Sequence, residues 1–244
     1  GEAPTEAETR VGLPFCSQAG KELNSILVDA GWPLPSAKYN SELSLLWRNQ
    51  RHVSLTNVFH ECPTGGIDAW SVSRKDAGGF RPAIPCTKGV VDPARIGPAL
   101  RRLEDEITSV NPNCILALGN TALAALTNLS GIAKLRGTIS VAGGRKILAT
   151  YHPAAVLRNY ELRPAVVADC IKANRESQFA ELRLTERHLH INPGRDDLQS
   201  WRERLLAAPY LAFDIETKAR QITCIGFAPS KTEAFVVPFW NLDG

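Results

Sequence analysis

Apolar residues fall at helical spacing in Leu23, Ile26, Leu27 and Ala30, positions i, i+3, i+4 and i+7, with Gly31 placed to end the helix. Residues 53–58 alternate with a period of two and predict a strand, and a Gly-, Pro- and Ser-rich stretch from about 63 to 92 predicts a long loop. Ile96, Leu100, Leu103 and Ile107 mark a second helix that ends before Asn111-Pro112-Asn113. The apolar run at residues 114–118, then Gly119-Asn120-Thr121 and apolar residues 122–126, parses as strand, tight turn and helix, with Asn120 or Thr121 as N-cap. A further strand at 147–150 opens onto Tyr151-His152-Pro153, and Val166, Val167, Cys170 and Ile171 mark the helix after it.

Strands alternating with helices over residues 20–176 predict an α/β domain with a mostly parallel sheet. Function in such sheets gathers at the carboxyl ends of strands, here Asn57, Gly119-Asn120 and His152. Residues 177–194 are polar and basic and read as a connector. A helix at 196–208 carries Leu198, Trp201 and Leu205, and three strands with short turns follow at 210–216, 221–228 and 234–239. The expected organisation is a domain at 1–176, a linker and connecting helix at 177–208, and the beginning of an incomplete second domain at 209–244.

Composition adds exclusions. With 44% hydrophobic and 22% charged residues among 244, the chain is neither disordered nor a disulfide mini-protein. The absence of methionine predicts a piece of a longer reading frame. No apolar run approaches the ~20 residues that span a bilayer, and residues 1–4 have neither part of a signal peptide. The expectation is a soluble, cytoplasmic protein with no membrane partner. Six cysteines without a CxxC pair argue against a disulfide framework or zinc ribbon. Net charge is +3, yet residues 131–175 hold eight basic side chains against Glu161 and Asp169, which suggests a polyanionic partner.

Three features could carry chemistry: carboxylates in a Gly/Pro loop at the front (Glu2, Glu6, Glu8), Asn57, and His152 with Pro153. Singly, each has a plainer account as a solvated acidic terminus, a turn residue and a structural histidine. Taken in order, Gly1-Glu2-Ala3-Pro4 with Pro14-Phe15, Thr56-Asn57-Val58, residues 118–123, Arg136-Gly137, and residues 150–154 with Leu157-Arg158 resemble the motifs of uracil-DNA glycosylases. The nearest match is the family 4 type and the related domain at the head of some phage family A DNA polymerases.

The resemblance implies a three-layer α/β fold with a parallel central sheet, and hydrolysis of the N-glycosidic bond of uracil in DNA. It assigns Phe15 to stacking on the flipped base, Asn57 to reading its polar edge, and His152 to the carbonyl where negative charge develops. Glu2 and Glu8 fall on acidic positions that orient water or balance the cationic sugar. Val156, Leu157 and Arg158 would sit at the duplex, with Lys134, Arg136, Arg145 and Lys146 on phosphates of uracil-containing or single-stranded DNA. Family 4 enzymes carry a four-cysteine iron–sulfur cluster. Here Cys62 falls on the third ligand position and Ala99 near the fourth, with Cys86 the remaining substitute, so no cluster is expected. Thr5 stands where the family has glycine, and a strand that the family places before Gly1 is expected to be missing. Two readings follow, an active glycosylase or a module that kept the fold as a DNA or protein contact.

A second resemblance lies at the other end. Phe213-Asp214-Ile215-Glu216-Thr217 and the two strands after it look like the first motif of the RNase H-like 3′–5′ exonuclease domain of DNA polymerases. Asp214 and Glu216, at i and i+2 on one strand face, would share Mg2+ or Mn2+ only in a complete protein, where other motifs supply further ligands. The expected partner is then the rest of a phage-type polymerase chain, in a bacterium or an infected host cell.

Overall fold

A computed structural model describes residues 1–32 and 53–239. They divide into two compact units, Gly1–Glu181 and Leu182–Gly244. In the first unit the front is not only loop. Helix α1 (Glu6–Val11) starts at Thr5, which makes a capping box with Glu8, and ends at Gly12 in the left-handed region. Helix α2 (Gln18–Asp29) buries Leu23, Ile26 and Leu27, the stripe that its spacing predicts.

The expected long loop contains structure of its own. A 3-10 turn at Ile67–Trp70 is followed by β1 (Ser71–Val72), β2 (Pro85–Cys86) and β3 (Gly89–Val91), which form a small antiparallel sheet in the order β1-β3-β2. Turn residues dominate this stretch and its strands are two or three residues long, too short for a period-two pattern to show. Helix α3 (Pro93–Val110) is capped by Asp92, with Pro93 at its first position, and buries Ile96, Leu103 and Ile107.

Strand β4 (Cys114–Leu118) runs directly into α4 (Gly119–Thr127), whose N-cap is Leu118. Neither Asn120 nor Thr121 caps it. Asn120 Oδ1 instead accepts from the Gly131 and Ile132 amides at the start of α5 (Ile132–Leu135), at 3.1 and 2.8 Å. Strand β5 (Ile139–Ala142), which the apolar pattern does not show, turns through Gly143-Gly144 into β6 (Arg145–Thr150). The sheet order is β4-β6-β5, with β4 parallel and β5 antiparallel to β6. The described sheet is therefore mixed rather than mostly parallel. Helix α6 (Pro153–Arg158) leaves the end of β6, and α7 (Arg163–Ser177) follows.

Alternation along the two parallel strands sorts the core into two faces. Ala117, Ile147 and Ala149 pack with Ile96, Leu103 and Leu123 of α3 and α4. Leu118 packs with Leu23, Ile26 and Leu27 of α2, Val156 of α6, and Val166 and Cys170 of α7. Helices thus cover both faces of the sheet, the layering expected of an α/β domain.

Residues 53–58 are not a sheet strand. The segment is held instead by the first two residues: the Gly1 amino group donates to Thr56 O, and the Val58 and Phe59 amides donate to Gly1 O and Glu2 O, at 2.9, 3.0 and 2.9 Å. That is too short a ladder to count as a strand, but it ties the front of the chain to Asn57.

In the second unit, β7 (His188–Ile191) lies in the expected connector; all four residues are exposed, and its His-Leu-His-Ile alternation is too short to stand out among polar neighbours. Helix α8 (Arg195–Ala207) buries Trp201, which stacks on Phe235 with ring centroids 4.7 Å apart. Strands β8 (Ala212–Lys218), β9 (Gln221–Ala228) and β10 (Glu233–Pro238) form the antiparallel meander that the sequence predicts, and β7 adds parallel to β10.

Candidate functional site

Two chain segments, the one carrying Asn57 and the end of β6 carrying His152, meet around Phe15 and Gly1. His152 is the N-cap of α6, and its Nδ1 accepts from the Ala154 amide at 3.2 Å. An accepting Nδ1 leaves the ring proton on Nε2, so the neutral side chain is a donor at that atom. Burial pushes its pKa down to about 4, and Arg158 adds to the shift. The imidazole is neutral at ordinary pH. Gly119, at φ +89°, closes the end of β4 against it: a β-carbon there would lie 3.2 Å from His152 Cβ.

The Phe15 ring lies nearly parallel to the imidazole, with centroids 6.1 Å apart and planes at 28°. Phe15 has φ +58°, an unusual conformation for a bulky residue and one that clusters at functional sites. Gly1 is wedged between Phe15 and Asn57. A β-carbon on it would sit 2.3 Å from Asn57 Oδ1 and 2.7 Å from the Phe15 ring, so the close approach requires glycine.

Asn57 is buried, and among the described residues no hydrogen bond engages its side-chain amide. Its backbone is fixed by a clamp that sequence reasoning misses. Arg102 of α3 donates through Nη2 to Asn57 O and Val58 O, at 2.6 and 2.8 Å, and through Nη1 to Glu106 at 2.6 Å. Glu106 in turn accepts from Thr56 Oγ1. The i, i+4 spacing of Arg102 and Glu106 is an ordinary helix-surface pair, so only its carbonyl partners mark it as part of the site.

A second clamp holds β6. Arg136 donates through Nε and Nη2 to both oxygens of buried Asp169, at 2.9 and 2.6 Å, and Thr150 Oγ1 donates to the same carboxylate at 2.6 Å. Thr150 stands two residues before His152. Glu2, meanwhile, accepts a short hydrogen bond from Thr121 in the first turn of α4, which fixes one of its oxygens. Glu8 is buried and turned into local structure: its carboxylate accepts from the Thr5 and Ser17 amides, at 2.9 and 3.4 Å.

A neutral histidine donor, a buried amide and an aromatic ring stacked on the imidazole are thus brought together beside Gly1. The model of the uracil DNA glycosylase superfamily matches residues 1–175. The chain belongs to that superfamily. It is also 30% identical over 178 residues to the type-4 uracil-DNA glycosylase of Thermotoga maritima, a match covering 71% of this chain and 73% of that protein.

The glycosylase-superfamily unit does not present every residue the sequence suggests for the DNA side. Val156 is fully buried between α2 and α7, so it packs the core and does not reach a duplex. Leu157 and Arg158, by contrast, are exposed. Lys134 is exposed too, but three neighbours are taken. Lys146 is 2% exposed, and its Nζ donates to the carbonyls of Glu176, Phe179 and Glu181 and to the Glu176 carboxylate. It secures the end of α7 and is not available to phosphate. Arg136 is committed to Asp169, and Arg145 lies mostly buried, 3.7 Å from Glu104. Three of the four cations suggested for phosphate contact are therefore engaged by Asp169, Glu104 and Glu176, which come from other elements.

Family 4 resemblance implies an iron–sulfur cluster, and the residues described here do not make a set of thiolates for one. Position 99 is alanine, packed against the apolar core. The Cys86 thiol donates to the Ile67 and Ile84 carbonyls at 3.9 Å, and burial pushes its pKa up to about 11, which disfavours a thiolate. Among the described residues no group of three or more His, Cys, Asp or Glu side chains could hold a metal. In the second unit Asp214 and Glu216 share one face of exposed β8, and Asp214 Oδ1 accepts from the Ile215 amide. No described helix is long and apolar enough to cross a membrane.

Proposed function

We propose that the first unit excises uracil from DNA by metal-independent hydrolysis of the N-glycosidic bond. The observation that carries this reading is His152: a neutral imidazole whose Nδ1 is occupied and whose Nε2–H is free to donate beside the Phe15 ring. Uracil flipped from the strand stacks on Phe15, and the Asn57 amide offers one donor and one acceptor to its polar edge. As the C1′–N1 bond breaks, the electron pair moves onto the base, and the His152 Nε2–H stabilises the charge on the carbonyl oxygen. Glu2, steadied by Thr121, orients the water that adds to C1′ or balances the cationic sugar. Glu8 supports that loop from inside its capping box and is a positioning residue.

The test is uracil release from single-stranded DNA by the full-length protein. His152→Ala is expected to lower the rate at least ~100-fold. A protein that leaves uracil intact yet shifts DNA in a salt-dependent way would sink this reading in favour of a binding module. The second unit is proposed as the opening of a 3′–5′ exonuclease sheet on a phage-type polymerase chain, supported by Asp214 and Glu216 on one face of a meander. Full-length protein that digests 3′ ends with Mn2+ should lose that activity in Asp214→Ala; digestion unaffected by the change would overturn the assignment.

A further inference from the structure

Beyond Val156 the chain surfaces abruptly. Residues 157–161 are all exposed, and Tyr160 is 68% exposed and Leu157 44%. Helix α6 is six residues, about 9 Å long, so one helix length separates the start of this exposed tip from His152 at the other end. The tip is built rather than loose. Pro153 and Val156 anchor α6 in the core, and Asn159 caps the 3-10 turn Tyr160–Leu162 by accepting from the Glu161 amide at 3.1 Å.

One face of the Tyr160 ring is backed by Arg163, whose guanidinium carbon lies 5.8 Å from the ring centroid. Arg163 is itself immobilised by Glu22, Ser25 and Asp29 of α2, at 3.0, 2.9 and 2.6 Å. The fold therefore holds an aromatic ring in place while leaving its other surface to solvent, at the edge of the site.

We propose that Tyr160 is a stacking platform for a base adjoining the flipped nucleotide, which makes single-stranded DNA the preferred substrate. This rests on the glycosylase reading for its register. Aromatic stacking accepts any base, and the unstacked bases of a single strand offer a free face to the ring where a duplex does not.

The test uses the full chain with Tyr160→Ala and Tyr160→Phe. Each protein is titrated into a single-stranded oligonucleotide carrying a tetrahydrofuran abasic analogue flanked by 2-aminopurine. Wild type and Tyr160→Phe should quench the 2-aminopurine fluorescence. Tyr160→Ala should lose the quench and bind at least about fivefold more weakly. On uracil-containing single strands its KM should rise by a similar factor, with kcat within about twofold of wild type. Unchanged quench and affinity in Tyr160→Ala would overturn the proposal even if uracil is released. Loss of the quench in a protein that releases no uracil would leave the platform standing and remove the glycosylase reading.

Discussion

The two halves of the site are held by clamps of the same chemistry in different surroundings. On the Asn57 side, Arg102 grips backbone carbonyls, and its partner Glu106 keeps 38% of its side chain in solvent. On the His152 side, Arg136 pairs with Asp169, whose side chain is 4% exposed and which also takes the Thr150 hydroxyl. A half-solvated carboxylate can find water when its arginine is removed, whereas a buried one is left as an uncompensated charge. The comparison teaches that equal-looking ion pairs carry unequal consequences, and that the β6 clamp is the more critical for the fold.

The largest effect should come from breaking that clamp. Arg136→Ala is expected to cost about 3–5 kcal/mol in unfolding free energy, measured by urea titration. A cost no greater than that of Arg102→Ala would remove the distinction between the halves. Acid should act on both halves, because burial lowers the pKa of His60, beside Glu106 on the Asn57 side, as it does that of His152. His152 has a folded pKa of about 4 against an ordinary value of 6.5. Between those values the unfolded chain binds the extra proton, so stability is complete above about pH 6.5 and falls as pH drops toward 4. The His152 share of that loss amounts to at most about 3 kcal/mol and should be absent in His152→Gln, leaving only the share of His60, whose pKa burial also lowers, as melting temperatures across the range would report.

Arg102→Ala is expected to cost about 1–3 kcal/mol and to raise KM for uracil-containing DNA, since it frees the backbone that aims the Asn57 amide. Unaltered kinetics would show that the Gly1 and Glu2 hydrogen bonds suffice to hold Asn57. The smallest effect is predicted at Thr121→Val, which removes the hydroxyl bound to Glu2. It should lower kcat by roughly fivefold, the worth of about 1 kcal/mol, with little change in thermal stability.

Much of the first unit was legible because long apolar stripes leave a period that local physics reads. Helices α2, α3 and α7 and strands β4 and β6 fall where the spacing places them. The elements that escaped are those without such a period: α1, specified by the Thr5 and Glu8 capping box; β1 to β3, too short; β5, a half-exposed edge; and β7, exposed along its length. Among site residues, Phe15, Asn57 and His152 were found through ordered motifs, and the structure brings them together with Gly1. Thr121 lay within a motif but was read only as a cap, and Arg102 and Asp169 carried no such signal, because a helix-surface arginine and a mid-helix aspartate are common anywhere.

By itself the sequence determined the alternation of strand and helix and the strand ends at which Gly119 and His152 stand, since period and turn chemistry are local properties of the chain. It also placed Phe15, Asn57 and His152 in order along the chain. Only the tertiary structure decided which charges remain free. Lys146 and Arg136 look alike in a list of cations, but folding brings Glu176 and Asp169 to them from a helix some thirty residues away. Pairing across that distance depends on how α7 packs on the sheet, and no local pattern encodes it.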